Sequence, residues 1–378
     1  MNWIKKFFKI EERKSSIGIE LLGGLVTFLA MVYILPVNAG MLSLTGMSFG
    51  GVFAATAIAA AFATILMGVI GKVPIALASG MGVNAFFTYT VVFQLGLSWQ
   101  SALAAVFVSG ILFVIISLTG LRQLVINAIP KSLKLAIGAG IGFFIAFIGF
   151  KNAGIIIADP ATFVRLGDFA NPTVLLGLFG VLLILVLFAL NNKISKFAII
   201  IAILGTGLLG VLLGAIFPGL TAAMPSFGGT NLGNISDIGG LFGQAIVAIP
   251  DLFAHPLALS VIFTFLFIDF FDTAGTLVAV GNEAGLLDDE GQLVGGNQAL
   301  LADAVGTVVG AVVGTSTVTS YIESTTGIKS GARTGLASVF TGVLFLVALL
   351  FFPLFSIVGG IASGNVVVYG DPIFYSPV

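Results

Sequence analysis

The sequence predicts an all-α polytopic membrane protein, and three observations predict it. Of 378 residues, 58% are hydrophobic and 8% charged, where a soluble domain carries roughly a quarter charged residues. Apolar segments of about 20 residues, the length a spanning helix needs, recur along the chain. Inside one of them sit two carboxylates, Asp269 and Asp272, at a spacing that puts both on one helix face. A carboxylate near the middle of a bilayer is costly and is retained mostly for a task. The chain therefore handles something polar inside lipid.

The segments run in order Ile17–Gly40, Gly51–Ile70, Pro74–Phe93, Ser98–Thr119, Leu133–Phe150, Pro172–Leu190 and Ser195–Phe217. After a long connection come Leu259–Gly281, Asn297–Gly314, a short segment Thr315–Thr326, and Gly335–Phe355. That makes about eleven crossings. The first follows a basic stretch, Lys5, Lys6, Lys9, Arg13 and Lys14. Its length and the many spans after it indicate an uncleaved helix rather than a signal peptide. With the N-terminus inside, every Lys and Arg except Lys151 and Arg165 falls on the inner side, among them Lys72, Arg122, Lys131, Lys134, Lys193, Lys196, Lys329 and Arg333. Cytoplasmic loops collect such residues, so helix count and orientation support each other. The connection from Pro218 to Ala258 holds no Lys or Arg, as an external loop would. Leu241–Pro256 within it is apolar and suits the membrane interface.

Two segments are interrupted. The third carries ALASGMGVNAFF (Ala76–Phe87) and the tenth GTSTVTSYIESTTG (Gly314–Gly327). An odd number of segments separates them, which relates the two halves of the chain by inversion. Paired, Gly-broken segments in corresponding positions point to a transporter binding site, because irregular backbone at membrane depth is tolerated where it lines one. Glu323 lies in the second break and Asn84 in the first, with Asp269 and Asp272 facing what lies between. Together they describe a pocket for a small polar, flat or zwitterionic solute, with a carboxylate able to take up a proton.

Each of these residues has a structural alternative. Asp269 and Asp272 can bond a hydroxyl or cap a distorted helix, Glu323 can cap a helix, and Asn84 can satisfy broken backbone. Asp303 is a third membrane acid, with structural and functional roles equally open. The glycine-rich runs can be packing surfaces. His255, the single histidine, reads as loop and makes no metal site alone, and the absence of cysteine excludes disulfides and thiolate metal sites. Asp288, Asp289 and Glu290 read as a solvated internal loop. The net charge of −1 gives no support to nucleic-acid binding. No cofactor is expected. An intramembrane protease is disfavoured because both aspartates lie on one helix, and no filter of a channel is visible.

Five motifs, ERKSSIGIELLGGLVTFLAMVYILPVN (12–38), ALASGMGVNAFF (76–87), IDFFDTAGTLV (268–278), ALLADAVGT (299–307) and GTSTVTSYIESTTGIKSGARTGL (314–336), resemble the AzgA-like purine permease branch of the nucleobase-ascorbate transporter family. The similarity runs from Glu12 to Phe355. It implies an inverted-repeat (7+7) nucleobase transporter fold with core and gate domains and an elevator-like movement. It further implies import of hypoxanthine, adenine and guanine with protons across the cell membrane, with a homodimer compatible. Carried over, the family's substrate-binding residues fall on Asn84, Asp269 and Glu323. Asp272 matches an acid tied to transport, and Glu323 also serves proton coupling. Gly80, Gly82, Thr315, Ser316 and Thr317 support the breaks. A uracil or xanthine carrier of the same superfamily is the alternative.

Mapped onto the chain, this gives a cytoplasmic tail (1–16), a first repeat of seven segments (17–217), an external connection (218–258), an incomplete second repeat (259–355) and an atypical tail (356–378). The family fold has three more helices after Phe355. Their lack, all in the gate domain, allows two readings, a truncated or frameshifted member or a tail forming a partial twelfth segment, and either predicts a chain unstable or inactive alone.

Overall fold

The computed structural model describes residues 2–119, 131–190, 194–195, 198–217, 232–286, 293, 295–353, 355, 361–362 and 365–366. Arg122, Lys193, Lys196, residues 218–231, the acidic run at 287–292 and nearly all of the tail 356–378 lie outside them. The chain divides into two compact units, Met1–Ile141 with Gly233–Leu350, and Gly142–Leu232 with Phe351–Val378. The first unit thus takes residues from both halves of the sequence. The division at 218–258 does not coincide with it.

In the first unit, helix α1 (Asn2–Phe7) precedes α2 (Ile17–Met31) and α3 (Ile34–Ser43). Ser16 caps α2 by accepting from the Ile19 N–H, the role a serine before an apolar run is suited for. The break at Val32 and Tyr33 has a local cause. Pro36 has no N–H to offer the Val32 carbonyl, which instead accepts from Leu35. Helix α4 (Phe49–Leu66) continues as a π-helix over Met67–Gly71. Strand β1 (Leu77–Ser79) leads into α5 (Met81–Ala85), extended by a π-helix, Phe86–Gln94. Then come α6 (Trp99–Thr119) and the start of α7 (Lys131–Asn152). After the second unit, three short helices, α10 (Ile238–Leu241), α11 (Gln244–Val247) and α12 (Ile249–Ala254), fill the apolar stretch expected at the interface. Helices α13 (Ala258–Ala284) and α14 (Gly296–Val313), strand β4 (Val318–Ser320), α15 (Ser324–Lys329) and α16 (Gly335–Ala348) complete it.

Among the described residues, six helical stretches are long and apolar enough to cross a membrane: Ile17–Ser43, Phe49–Gly71, Trp99–Thr119, Pro172–Ala189, Ala258–Ala284 and Gly296–Val313. Shorter apolar helices stand at Gly142–Lys151, Ile201–Ile216 and Gly335–Phe351, where the sequence placed the fifth, seventh and eleventh segments. The third and tenth are not helices throughout, which corrects the all-α expectation. Each passes through a strand, and β1 and β4 pair antiparallel, Leu77 opposite Ser320 and Ser79 opposite Val318. The physical reason is backbone satisfaction. Extended chain buried at membrane depth has no water to bond, and the β-branched run Val318, Thr319 suits a strand. A partner strand supplies the missing hydrogen bonds.

The core of this unit gathers Ala55, Ala59 and Ala63 of α4, Met67 of its π-helical continuation, Leu277 and Val280 of α13, Ala299 and Ala302 of α14, and the strand residues Leu77 and Val318. Small side chains let the backbones approach closely, which is how helices associate where lipid supplies no hydrophobic drive. At Gly24 of α2 a Cβ would stand 2.6 Å from the Ala337 carbonyl oxygen of α16, so only glycine fits that crossing.

The N-terminal residues are not a free tail. Phe8 and Ile10 are buried, and Lys72 sits 5.0 Å over the ring of Phe7. The Arg13 guanidinium donates to the carbonyls of Lys72, at 2.6 Å, and Arg333, at 2.8 Å. Burial pushes Arg13 below its ordinary value, with Glu20 and Glu12 pulling it back up. Glu20, fully buried, accepts the N–H groups of Arg333 and Thr334 at 3.0 and 3.1 Å, just ahead of α16. Its negative charge there suits the positive end of that helix.

In the second unit, the remainder of α7 leads into a hairpin of β2 (Ile156–Asp159) and β3 (Phe163–Leu166), a second departure from all-α. Its turn is held by Asp159 Oδ1, which accepts from the N–H groups of Ala161 and Thr162, both at 2.9 Å. Those bonds, with Arg165 nearby, hold the Asp159 carboxyl below its usual value. Helix α8 (Pro172–Ala189) starts with Asn171 as cap and proline in the first turn. It packs on α9 (Ala198–Ile216) through Leu187, Ala198 and Ala202. Leu175, Phe179, Leu182 and Leu185 stay exposed, the face a lipid-bathed helix presents. Strands β5 (Ile361–Ala362) and β6 (Asn365–Val366) form a third small sheet.

Candidate functional site

The two breaks meet in the first unit. Beyond the β1–β4 ladder, the Gly80 N–H donates to the Thr317 carbonyl at 3.1 Å and the Tyr321 N–H to the Ala76 carbonyl at 3.0 Å. The Ala76 N–H donates to Ser324 Oγ at 3.0 Å. Thr64 of α4 closes the outer edge of β1, its hydroxyl both donating to the Leu77 carbonyl and accepting the Leu77 N–H at 2.9 Å. Segments distant in sequence are thereby fixed side by side.

One end of this junction is an amide and hydroxyl network. Asn84 is fully buried. Its Nδ2 donates to Asn38 Oδ1 at 2.7 Å, and its Oδ1 accepts from the hydroxyls of Ser79, at 3.1 Å, and Ser316. Asn38 of α3, also fully buried, donates to Thr56 at 2.7 Å and to Thr315 at 2.9 Å. Gly80 accepts the Asn84 N–H, and Gly82 lies within α5, where its carbonyl bonds the Phe86 N–H. Thr317 Oγ1 is buried and makes no hydrogen bond to the protein, leaving that hydroxyl available to another partner.

The other end holds the acids. Asp269 on α13 is buried and lies 3.0 Å from the Thr307 hydroxyl of α14. Thr307 in turn accepts the Val318 N–H at 3.1 Å, tying helix, acid and strand together. Asp272, one turn on, is half-buried, hydrogen-bonded to Thr319 and within electrostatic reach of Glu323. Glu323, also half-buried by solvent exposure, accepts the phenol of Tyr33 on Oε1 at 2.6 Å. Tyr321 donates its hydroxyl to the Ser79 carbonyl. Asp303 is fully buried and receives Thr273 on Oδ2 at 2.8 Å and Ser320 on Oδ1 at 3.2 Å. It thereby links α13, α14 and β4. Among the described residues, no group of three or more His, Cys, Asp or Glu side chains is set to hold a metal ion.

Asp269, Asp272 and Glu323 thus gather around the paired breaks, with Asn84 in the adjoining network. Thr315 and Ser316 are joined to Asn38 and Asn84. Sequence reasoning missed Asn38, Tyr33, Tyr321 and Thr307. A signal for two of them was present: Tyr33 and Asn38 are polar groups within an apolar segment, three and two residues from the helix-breaking Pro36. His255 lies in the connection before α13, its Nδ1 accepting the Leu257 N–H.

The family model described as "Permease family" matches residues 18–370. The chain belongs to this permease family. The match runs past Phe355, where the resemblance was expected to end. A guanine/hypoxanthine permease of Bacillus subtilis, PbuG, is 45% identical over 99% of this chain and 84% of its own length. The adenine permease AdeP of Escherichia coli is 38% identical over 97% of this chain and 79% of its own. Among solved structures, the transmembrane domain of the cyanobacterial bicarbonate transporter BicA matches with a TM-score of 0.61 at 15% identity, covering 94% of this chain and 93% of that one. The permease is a helical, multi-pass membrane transporter with the same general fold, and its family consists of transporters rather than enzymes.

Proposed function

We propose that this permease imports purine nucleobases, with hypoxanthine, adenine and guanine as the candidates, by proton symport across the cell membrane. The observation that carries the reading is that Asp272, bonded to Thr319 of β4, lies within electrostatic reach of Glu323, three residues beyond β4 and beside its pairing with β1. Carboxylates facing one another repel unless a proton or a donor group comes between them. A purine ring N–H is such a donor, and a proton taken up with it relieves the remaining charge. Asn84, Asp269 and Glu323 are assigned to substrate, Asp272 and Glu323 to proton coupling. Gly80, Gly82, Thr315, Ser316 and Thr317 shape the breaks, and the free Thr317 hydroxyl suits a ring nitrogen. The relatives named as guanine/hypoxanthine and adenine permeases support hypoxanthine, guanine or adenine over uracil or xanthine.

The antiparallel pairing of two breaks, one from each half, supports two inverted repeats. All the candidate site residues belong to one compact unit, which suits an elevator-like alternating-access cycle in which the site travels as a body. The N-terminus is assigned to the cytoplasm, and a homodimer is compatible. The test is uptake of radiolabelled hypoxanthine by cells lacking purine carriers, with and without a proton gradient, comparing the chain with Glu323→Gln. Gradient-dependent uptake lost in the variant supports the reading. Uptake of uracil or xanthine in preference to hypoxanthine, adenine and guanine overturns the substrate assignment, and uptake indifferent to the gradient overturns the coupling.

A further inference from the structure

The first membrane segment reaches the acid of the tenth. Pro36 breaks the α2–α3 stretch at Val32 and Tyr33, and the phenol of Tyr33 then donates to Glu323 Oε1 at 2.6 Å. The carboxylate also accepts from its own backbone N–H, which moves with Glu323, so Tyr33 is the tie to a different segment. Tyr321, on the same segment as Glu323, spends its hydroxyl on the Ser79 carbonyl. Asp272, facing from α13, is an acceptor and is held by Thr319.

We propose that Tyr33 is the positioning residue for Glu323: its phenol O–H clamps one carboxylate oxygen, fixing how Glu323 faces the substrate, and must turn or reverse when that oxygen takes a proton. The inference rests on the reading that Glu323 binds the nucleobase. The chemistry is that of a single bond with one hydrogen. While Glu323 is a carboxylate, the phenol donates and the remaining lone pairs face the site. A proton arriving from water at Oε1 makes that oxygen a donor and a far weaker acceptor. The phenol's bond to it then weakens or reverses, and the orientation of the acid is loosened. Tyr33 thereby couples the protonation state of Glu323 to the geometry that the substrate meets. Since the clamp comes from the break in the first segment, that break becomes part of the transport machinery rather than a packing irregularity.

Tyr33→Phe removes the hydroxyl and keeps the ring. Losing a hydrogen bond to a charged partner is expected to raise KM for hypoxanthine about tenfold with Vmax nearly unchanged, and to move the pH profile of uptake. An unchanged KM and pH profile overturns the proposal. A second measurement does not depend on transport. In infrared difference spectra of the purified full chain, titrated with pH, the Glu323 carboxyl band is identified by its loss in Glu323→Gln. The frequency and titration of that band are expected to differ between the parent chain and Tyr33→Phe, and coincidence of the two titrations overturns the clamp. If the band responds but the parent chain imports no nucleobase, the clamp stands and the proposed substrate falls.

Discussion

Replacing Glu20 with alanine tests whether a buried acid fastens the first membrane helix to the last one of its unit. Its two oxygens accept the N–H groups of Arg333 and Thr334 at 3.0 and 3.1 Å, and the side chain is fully buried. Leaving one such N–H unsatisfied costs about 1–3 kcal/mol, so two cost about 2–6 kcal/mol. Removing a costly buried charge offsets part of this, which places the net near 3 kcal/mol. At roughly 2–4 °C per kcal/mol for a unit of this size, Glu20→Ala is expected to lower the apparent Tm by about 6–12 °C in detergent. Glu20→Gln keeps one acceptor and loses about half as much. Arg13 bonds the Arg333 carbonyl at 2.8 Å, so the two residues share a partner peptide segment. The double variant with Arg13→Ala is expected to lose less than the sum of the singles, with a coupling of about 0.5–3 kcal/mol. A Tm within about 1 °C of the parent in Glu20→Ala refutes the reasoning, as does strict additivity with Arg13→Ala.

Asn38→Ala strips partners from Asn84, Thr56 and Thr315 at once and is expected to cost about 2–4 kcal/mol, read as thermal unfolding, with uptake falling as Asn84 loses its fixed orientation. Asp303→Asn keeps an acceptor for Thr273 or Ser320 and is expected to cost about 1–2 kcal/mol while leaving the pH dependence of uptake in place; a lost pH dependence would make Asp303 part of the proton path. The Asp159 carboxyl is held below its usual value by the hairpin amides, so its stabilisation is present above the ordinary carboxylate range and fades as pH falls through the lowered value. Limited proteolysis by an acid-active protease is expected to cut residues 160–167 of the parent chain only at the lowest pH, and those of Asp159→Ala at every pH tried.

Much of the fold was legible because it follows from length and hydropathy alone. A run such as Ser98–Thr119 has few alternatives to a helix, since lipid satisfies no backbone group. The same rule hid what happens at the breaks. Glycine and threonine near residues 76–87 and 314–327 announced an interruption, yet periodicity within either segment says nothing about its partner. The β1–β4 ladder depends on contact between stretches from opposite ends of the chain, and the all-α expectation failed there. The acids Asp269, Asp272 and Glu323 stood out because charge in an apolar run is costly. Thr307 did not, because a short hydroxyl in a membrane helix can bond the preceding turn and needs no other explanation. Asp303 was ambiguous in sequence, and its two hydroxyl donors supply a structural partner for each oxygen.

The β1–β4 ribbon also sets the order in which this protein can be made. Ser79 and Ser316, hydrogen-bonded across it, are 237 residues apart. During synthesis, at about 5–20 residues per second, the first half enters the bilayer long before its partner strand exists. For that interval β1 carries backbone groups that neither lipid nor neighbour satisfies beyond the Thr64 bonds. The nascent first half must therefore wait at the membrane surface, in the insertion machinery, or with water drawn in beside residues 76–80. The candidate site is then one of the last features of the molecule to form, and a lesion that delays residues 314–327 is expected to leave an otherwise inserted protein with an open, wet seam at the β1–β4 junction.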